Sequence, residues 1–382
     1  MDTNGKIENG IISVEKDNKI VFTLDLSGRF LFYDNGDATY RRSLDNKFLR
    51  LKHTESGRSV ELVDKEAGNK IADEAYNFLG SIAEDLPQEL SIYARRFSSL
   101  NHEFLEEDAK KLHGIYGMSV PIVPPDQYFP VYIQAEKGCS WNRCTFCKLY
   151  RDRDYMVRLP DEFKEHVRQV KDYFGEGLSA RKTVFLGDAN AVNLEQKTLL
   201  SYLDLIKEEF GLPVYAFVDA ISTQKRKSEM HFREMKDHGL KRVYLGLESG
   251  DPGVLRLLNK MMNLSEAINL VNQIKDAGLN IGIILMAGAG GRKFYENHVK
   301  NTASVISQMD LGRGDIIYIS PIYEFDDADY YNISKGLGSL DDNEKEKQIG
   351  DLKTSIYETY QDMNGKKLEA PIVKYDLKEA IY

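Results

Sequence analysis

Cysteine is scarce in this sequence, and its count limits what the sulfur atoms can do. The chain has 382 residues but only three cysteines, all within the stretch GCSWNRCTFCKLY of residues 138–150. An odd number of cysteines cannot form a closed set of disulfides. In a reducing compartment, clustered thiols indicate a metal site or a redox function.

Positive charge and long apolar runs are also lacking. The net charge is −9, which argues against nucleic acid as the main partner, because phosphate binding needs a basic surface. The first ten residues, MDTNGKIENG, have neither the basic start nor the apolar core of a signal peptide. No apolar run approaches the length of a membrane span. We therefore expect a cytoplasmic protein with no membrane span.

Three segments differ in pattern. Residues 1–118 alternate apolar and polar residues around Asp34-Asn35-Gly36, which predicts a β-hairpin, and helical patterns follow. We interpret them as a small N-terminal α+β module. A proline-rich linker then leads into the core, residues 119–320. Residues 321–382 are acidic and tyrosine-rich and end in a polar helical pattern, which predicts a helical C-terminal extension.

The core segment alternates short apolar runs with amphipathic helical patterns. We predict six strands from these runs, at residues 130–135, 182–187, 213–219, 242–248, 280–288 and 315–320. Strands that alternate with helices imply an α/β fold with a parallel sheet, either open or curled into a partial or full barrel. Such folds place their chemistry at the carboxyl ends of the strands. Cys139 directly follows the first predicted strand.

Three kinds of site compete for the cysteines. A structural zinc site needs four ligands, and the nearest fourth candidate is His166, which stands alone. A redox pair of Cys144 and Cys147 leaves Cys139 unused. A [4Fe–4S] cluster normally takes four thiolates, so three would leave one iron free for another ligand. The third hypothesis uses every cysteine in the chain.

The cysteine loop resembles that of the radical S-adenosylmethionine (SAM) superfamily. The family spacing is C-x3-C-x-aromatic-C, and here it is Cys139-x4-Cys144-Thr145-Phe146-Cys147, so the loop must bulge around residues 141–143. The resemblance covers about residues 129–320. The stretch GLESGD…VL…NK resembles the coproporphyrinogen dehydrogenase-like and methylthiotransferase-like subgroup. The family fold implied is a partial (βα)6 TIM-type barrel with parallel strands.

The resemblance assigns expected roles to individual residues. It implies that the three cysteines bind the metal cluster and that residues after several strands bind SAM. The expected SAM-binding residues are Phe146, Gly187, Asp188, Ala189, Asn190, Ser222 with Thr223 beside it, Glu248, Ile283 and Met286. Other readings remain for three of them: Asn190 as a helix cap, Glu248 as a solvated carboxylate, and Ile283 as part of the core.

The family's chemistry supplies the expected function. A single [4Fe–4S] cluster and SAM would receive one electron from a flavodoxin- or ferredoxin-like reductant. Reductive cleavage of SAM would then give a 5′-deoxyadenosyl radical that abstracts hydrogen from a small-molecule substrate. Modification of RNA or a peptide is an alternative within the same chemistry. A non-enzymatic zinc- or cluster-binding interaction protein is the alternative of a different class.

Overall fold

The computed structural model describes residues 2–54, 57–127, 129–323, 325–326 and 328–382. The chain divides into two compact units. The first contains residues 1–131, 165–183 and 378–382, and the second contains residues 132–164 and 184–377. Of the predicted acidic stretch after residue 321, Glu324 and Asp327 lie outside the described residues. The predicted segment boundaries at residues 118 and 320 stay predictions.

The first unit contains an antiparallel sheet and three helices. Its seven strands pair in chain order, each with the next. They are β1 (Thr3–Glu8), β2 (Ile11–Lys16), β3 (Ile20–Asp25), β4 (Phe30–Asp34), β5 (Thr39–Arg42), β6 (Phe48–Thr54) and β7 (Gly57–Val63). The helices are α1 (Lys65–Ile82), α2 (Gln88–Phe97) and α3 (His102–Tyr116). The predicted hairpin is confirmed, since β4 and β5 pair with Tyr33 opposite Tyr40.

Aromatic side chains and buried ion pairs stabilise this unit. The Phe22 ring lies 5.2 Å from that of Phe30 and 5.4 Å from that of Tyr76, measured between centroids. Beside this core, Arg29 Nε donates to Asp108 Oδ1 at 2.8 Å, and both side chains are buried. A buried charge needs such a partner, because removal from water is costly for either ion alone.

The other elements are mostly those of a parallel α/β sheet. Its strands are β8 (Pro130–Gln134), β11 (Thr183–Gly187), β12 (Val214–Val218), β13 (Leu240–Glu248), β14 (Asn280–Ala287), β15 (Ile316–Pro321) and β16 (Ile372–Lys374). Two short strands, β9 (Glu136–Lys137) and β10 (Met156–Val157), pair separately. The helices are α4 (Pro160–Phe174), α5 (Gln196–Phe210), α6 (Glu229–Asp237), α7 (Pro252–Leu257), α8 (Leu264–Asp276), α9 (Gly291–Ile306), α10 (Asp329–Lys335) and α11 (Asp342–Asn364).

The order of this sheet is β16-β15-β14-β13-β12-β11-β8, so sequential strands are neighbours, as in a barrel. All six predicted strands are confirmed, and the fold is α/β. A seventh strand, β16, was not predicted; it pairs parallel to β15, with Ile372 opposite Ile317. Three residues are too few for an alternating pattern to be recognised in the sequence. None of the described helices is both long and apolar enough to cross a membrane.

Candidate functional site

The three cysteines lie in a closed loop at the carboxyl end of β8. Strand β9 pairs antiparallel with β10, so Glu136 is opposite Val157 and Lys137 is opposite Met156. Residues 138–155 between these strands are called the Cys loop below. It begins at Gly138, whose φ of +80° favours glycine. The predicted position of the motif, directly after the first strand of the sheet, is confirmed.

One buried carboxylate holds the base of the Cys loop. Asp188 follows β11 and is fully buried. Its Oδ1 accepts from the Tyr132 hydroxyl at 2.6 Å and from Gln134 Nε2 at 3.0 Å. Its Oδ2 accepts from the Gly138 backbone N–H at 2.7 Å, and Arg153 Nη1 lies 3.9 Å away. Asp188 therefore ties β8 to both ends of the loop.

The outer part of the Cys loop is bonded to the carboxyl end of α7. The last carbonyls of a helix have no partner within it. Here Thr145 Oγ1 donates to the Leu257 carbonyl at 2.8 Å, and Thr145 N donates to the Leu258 carbonyl at 3.1 Å. The indole of Trp141 donates to the Asn259 carbonyl at 3.1 Å. The loop and the helix end thus satisfy one another's polar groups.

Asn142 accommodates the longer gap between the first two cysteines. Its φ of +42° lies in the left-handed region, where asparagine is better tolerated than most side chains. Its Nδ2 donates to the Tyr150 carbonyl at 2.9 Å, and its backbone N–H donates to Cys139 Sγ at 3.3 Å. The bulge predicted around residues 141–143 is therefore a defined turn.

The chemistry of the donor set suits an iron–sulfur cluster. All three thiols are half-buried, and burial raises the pKa of each, to about 11 for Cys147. A bound cation is needed to keep such thiols ionised. Among the described residues, no three His, Cys, Asp or Glu side chains converge closely enough to hold one metal ion. Thiolates that bind separate irons of a cube need not converge in this way.

A polar network lies beside the Cys loop, after β11 and β12. The Asn190 amide donates to Asp219 Oδ2, and the Ser222 hydroxyl donates to the same oxygen at 2.7 Å. Asn193 Nδ2 donates to Ser222 Oγ at 2.9 Å, while the buried Asn193 Oδ1 has no hydrogen-bond partner. Asn190 does not cap the next helix with its side chain, so the capping interpretation is wrong. The network joins two of the expected SAM-binding residues, Asn190 and Ser222.

The carboxylate of Glu136 accepts two hydrogen bonds that connect it to the turn after β11 and to the end of the Cys loop. Its Oε1 accepts from the Asn190 backbone N–H at 2.6 Å, and its Oε2 accepts from the Tyr155 hydroxyl at 3.0 Å. Burial raises the pKa of Glu136 to about 7. This carboxyl links the start of the Cys loop, the end of the loop and the turn after β11.

Glu248 ends β13 in an ion pair. Lys260 Nζ donates to Glu248 Oε1 at 2.7 Å, and both side chains are largely buried. Burial lowers the pKa of Lys260, but the charges of Glu248 and of Cys144 outweigh it and leave this pKa raised. A Cβ on Gly246 would overlap the Glu248 carboxylate, so glycine leaves room for the pair. The interpretation of Glu248 as a solvated carboxylate is wrong.

The apolar members of the predicted set divide into two groups. Phe146 packs against a buried cluster that includes Met286, Leu258 and Tyr330. Ile283 is fully buried in β14, which supports the interpretation that it belongs to the core. Gly187 is buried, and a Cβ there would overlap the Tyr132 ring and hydroxyl. Ala189 is half-buried in the turn between Asp188 and Asn190.

A buried histidine connects β13, β14 and α9. The Nε2 of His298 lies 3.0 Å from the Met286 carbonyl, which can only accept, so Nε2 carries the proton. Its Nδ1 then accepts from the Ser249 hydroxyl at 2.7 Å. Burial lowers the pKa of His298 to about 4, so the ring is neutral near pH 7. Ser249 directly follows Glu248, and the contact therefore links the ion pair to the Phe146–Met286 region.

Sequence reasoning missed several residues of the site, among them Asp219, Lys260 and His298. Asp219 is the last residue of a predicted strand, and Lys260 is the last residue of the stretch GLESGD…VL…NK. Both could therefore have been predicted as site residues from the sequence. His298 could not, because a single histidine within a helical pattern is not distinctive.

The sheet is parallel with sequential strands, and its carboxyl edge carries one loop that holds three thiols. Residues 136–303 match the model of the Radical SAM superfamily. The match covers less than half of the chain and shows that this part of it is similar to domains of that superfamily. The match favours a cluster over zinc.

Similar proteins share only part of their length with this chain. The 4′-phospho-dehydrooxetanocin synthase of Priestia megaterium is 22% identical in an alignment 204 residues long that covers 47% of this chain and 27% of that protein. Heme chaperone HemW of Buchnera aphidicola is 20% identical over 156 residues, covering 40% of this chain and 42% of HemW. The structure of coproporphyrinogen III oxidase (HemN) from Escherichia coli aligns with a TM-score of 0.43 and 14% identity, covering 65% and 56% of the two chains.

The left-handed turn at Asn142 predicts a difference between two substitutions. Asn142→Val places a β-branched residue at φ +42°, at a cost of about 1–2 kcal/mol, and removes the bond to Tyr150. We expect Asn142→Val to bind well under half as much iron as the wild type after anaerobic reconstitution. Asn142→Gly is the control: it keeps the turn and should bind near-normal iron. Equal iron content in both variants would contradict this account of the longer loop.

We expect the stability of the protein to fall when one carboxylate oxygen of Asp188 is replaced by an amide nitrogen. In Asp188→Asn, the amide nitrogen cannot accept from the Tyr132 hydroxyl, Gln134 or Gly138. We expect a loss of about 3 kcal/mol in the free energy of unfolding, because a buried, charge-assisted set of bonds is broken. Trp141 is the only tryptophan, so its fluorescence in urea reports on this unit. Asp154→Asn, at an exposed position of the same loop, should change stability by less than about 0.5 kcal/mol.

Because His298 is buried in its neutral form, we expect the folded protein to lose stability in mild acid. Between pH 6.5 and about 4, the unfolded chain binds a proton at this position that the folded chain does not. The folded state is therefore disfavoured as the pH falls through this range. We expect His298 to contribute a decrease of about 2 kcal/mol in the free energy of unfolding from pH 7.5 to pH 5.

Urea unfolding of the wild type and of His298→Gln at these two pH values measures that contribution. The decrease should be smaller in His298→Gln by about 2 kcal/mol. The exposed His113→Gln should leave the decrease unchanged. An identical pH dependence in wild type and His298→Gln would show that His298 is not buried in its neutral form.

Proposed function

We propose that this chain is a radical SAM enzyme that acts on a small molecule, using one [4Fe–4S] cluster. The observation that carries the proposal is the Cys loop, in which three thiols are held at the carboxyl edge of the sheet by Asp188. The chain offers no fourth cysteine, so a cluster bound here would keep one iron for SAM. When bound, the cluster and SAM supply one-electron cleavage of the sulfonium and a radical that abstracts hydrogen from the substrate.

The protein's own groups have separate functions around the cofactors. Cys139, Cys144 and Cys147 ligate the cluster, and the Asn142 N–H donates to one of the sulfurs. A hydrogen bond to a ligating sulfur tunes the reduction potential of a cluster. The Phe146–Met286 cluster supplies an apolar surface suited to the adenine ring and keeps water away from it.

Polar groups at the same edge suit the charged part of SAM. Asp219 and Ser222 present oxygens, and Asn193 Oδ1 is a buried acceptor with no hydrogen-bond partner. Such acceptors match an ammonium group. Glu248, fixed by Lys260, is suited to accept from ribose hydroxyls. These assignments extend the expected roles of Asn190, Ser222 and Glu248, and Asp188 becomes a residue that positions the loop.

A small substrate agrees with the overall charge. A net charge of −9 disfavours an RNA substrate, because a phosphate backbone is repelled by an acidic protein. We also propose a cytoplasmic location, because free thiols and an iron–sulfur cluster need a reducing compartment.

The test is production of 5′-deoxyadenosine by the full chain. The protein would be purified without oxygen, reconstituted with iron and sulfide, and reduced with dithionite in the presence of SAM. We expect 5′-deoxyadenosine and methionine in equal amounts, detected by chromatography. Cys144→Ala should reduce the product at least a hundredfold, because a cluster that loses a ligand is not retained.

Ser140→Ala is the matched control, since Ser140 is exposed in the same loop and bonds to none of the cysteines in the described structure. It should retain wild-type product formation. A purified chain that binds one zinc and no iron after reconstitution would show that the proposed function is wrong. Equal product from wild type and Cys144→Ala would show the same.

A further inference from the structure

The Cys loop and its flanking strands carry a local charge opposite to that of the chain. Residues 136–157, which are the Cys loop with β9 and β10, contain five basic residues and three acidic ones, a net charge of +2. The whole chain has a net charge of −9, so the remaining residues together carry −11. A basic segment within an acidic protein creates a local field that attracts acidic partners. The segment with this field is also the one that holds all three cysteines.

Two exposed arginines lie at the outer side of the loop. Arg151 Nη2 donates to the Cys144 carbonyl at 3.0 Å, and Arg151 Nε donates to the Cys147 carbonyl at 3.3 Å. The side chain of Arg143 is exposed beside the Trp141 ring, with 5.7 Å between the guanidinium carbon and the ring centroid. A molecule that contacts Arg151 therefore lies one side chain away from the backbone of two cysteines.

Apolar side chains are exposed next to these charges. On the segment that follows the loop, Tyr155 is 44% exposed, Met156 47% and Leu159 65%. Contiguous exposed apolar residues are typical of protein contact surfaces. Basic groups with neighbouring apolar residues match a partner protein that is acidic and has an apolar contact area.

We propose that Arg143 and Arg151, together with the exposed apolar residues Tyr155, Met156, Val157 and Leu159, form the docking surface for an acidic one-electron carrier protein. This inference rests on the proposed function, in which a bound cluster must receive one electron from outside. In that step the reduced carrier loses one electron and the cluster gains it, and no covalent bond forms or breaks. The opposite charges accelerate the encounter, and the contact shortens the path of the electron to the cysteines.

The experiment measures the rate of cluster reduction by reduced flavodoxin, an acidic carrier, in an anaerobic stopped-flow instrument. Arg143→Glu and the double variant Arg143→Glu/Arg151→Glu would be compared with wild type in about 20 mM salt. We expect the rate to fall at least tenfold in the double variant, and less in the single one. The difference should shrink in about 0.5 M salt, because salt screens exposed charges. Arg143→Lys should restore most of the rate.

Arg313→Glu is the matched control for the change in net charge. Its side chain is highly exposed and precedes β15, at the amino edge of the sheet, whereas the Cys loop lies at the carboxyl edge. It should leave the flavodoxin-driven rate within about twofold of wild type. Reduction by dithionite should be equal in all variants, which shows that their clusters are intact.

The outcomes separate this inference from the proposed function. Equal flavodoxin-driven rates in wild type and the double variant would overturn the docking surface while leaving the enzyme class intact. Loss of binding to a single-stranded RNA by the same variants, with flavodoxin-driven rates unchanged, would make the surface an RNA site and would also overturn it. A wild-type chain that assembles no cluster reducible by dithionite would refute the proposed function, and the docking surface with it.

Discussion

The site depends on one buried carboxylate, that of Asp188. It accepts hydrogen bonds from two side chains of β8 and from the first N–H of the Cys loop. Burial makes each of these bonds stronger and makes the loss of any of them more costly. A loop with two left-handed residues, Gly138 and Asn142, could otherwise adopt many conformations. The cysteines keep one arrangement because the loop is fixed at its base before any ligand binds.

The same loop is fixed on its outer side by a helix end. The carbonyls after α7 need donors, and the Cys loop supplies the Thr145 and Trp141 groups. Two structural requirements, satisfied helix carbonyls and a rigid cysteine loop, are therefore met by one set of bonds. The gap between the first two cysteines is one residue longer than in the family, but the loop still has a defined conformation. Asn142 adopts a left-handed conformation there, and its side chain donates to the Tyr150 carbonyl.

The remaining parts of the site are coupled through β13 and β14. Glu248 is paired with Lys260, and the next residue, Ser249, donates to His298, which in turn donates to the Met286 carbonyl. These contacts connect the ion pair to the apolar cluster against which Phe146 packs. This coupling uses a neutral histidine, so it adds no buried charge beside the ion pair.

The sequence by itself determined the α/β class, the six main strands and the location of the cysteine loop, because these follow from local patterns and spacing. Tertiary structure decided the rest. Strand β16 exists because β15 offers it an edge, although three residues carry no pattern of their own. Asp188 became a structural centre, and Asn190 a partner of Asp219 rather than a helix cap, through contacts between separate strands. Such contacts join residues far apart in the chain, and no local pattern records them.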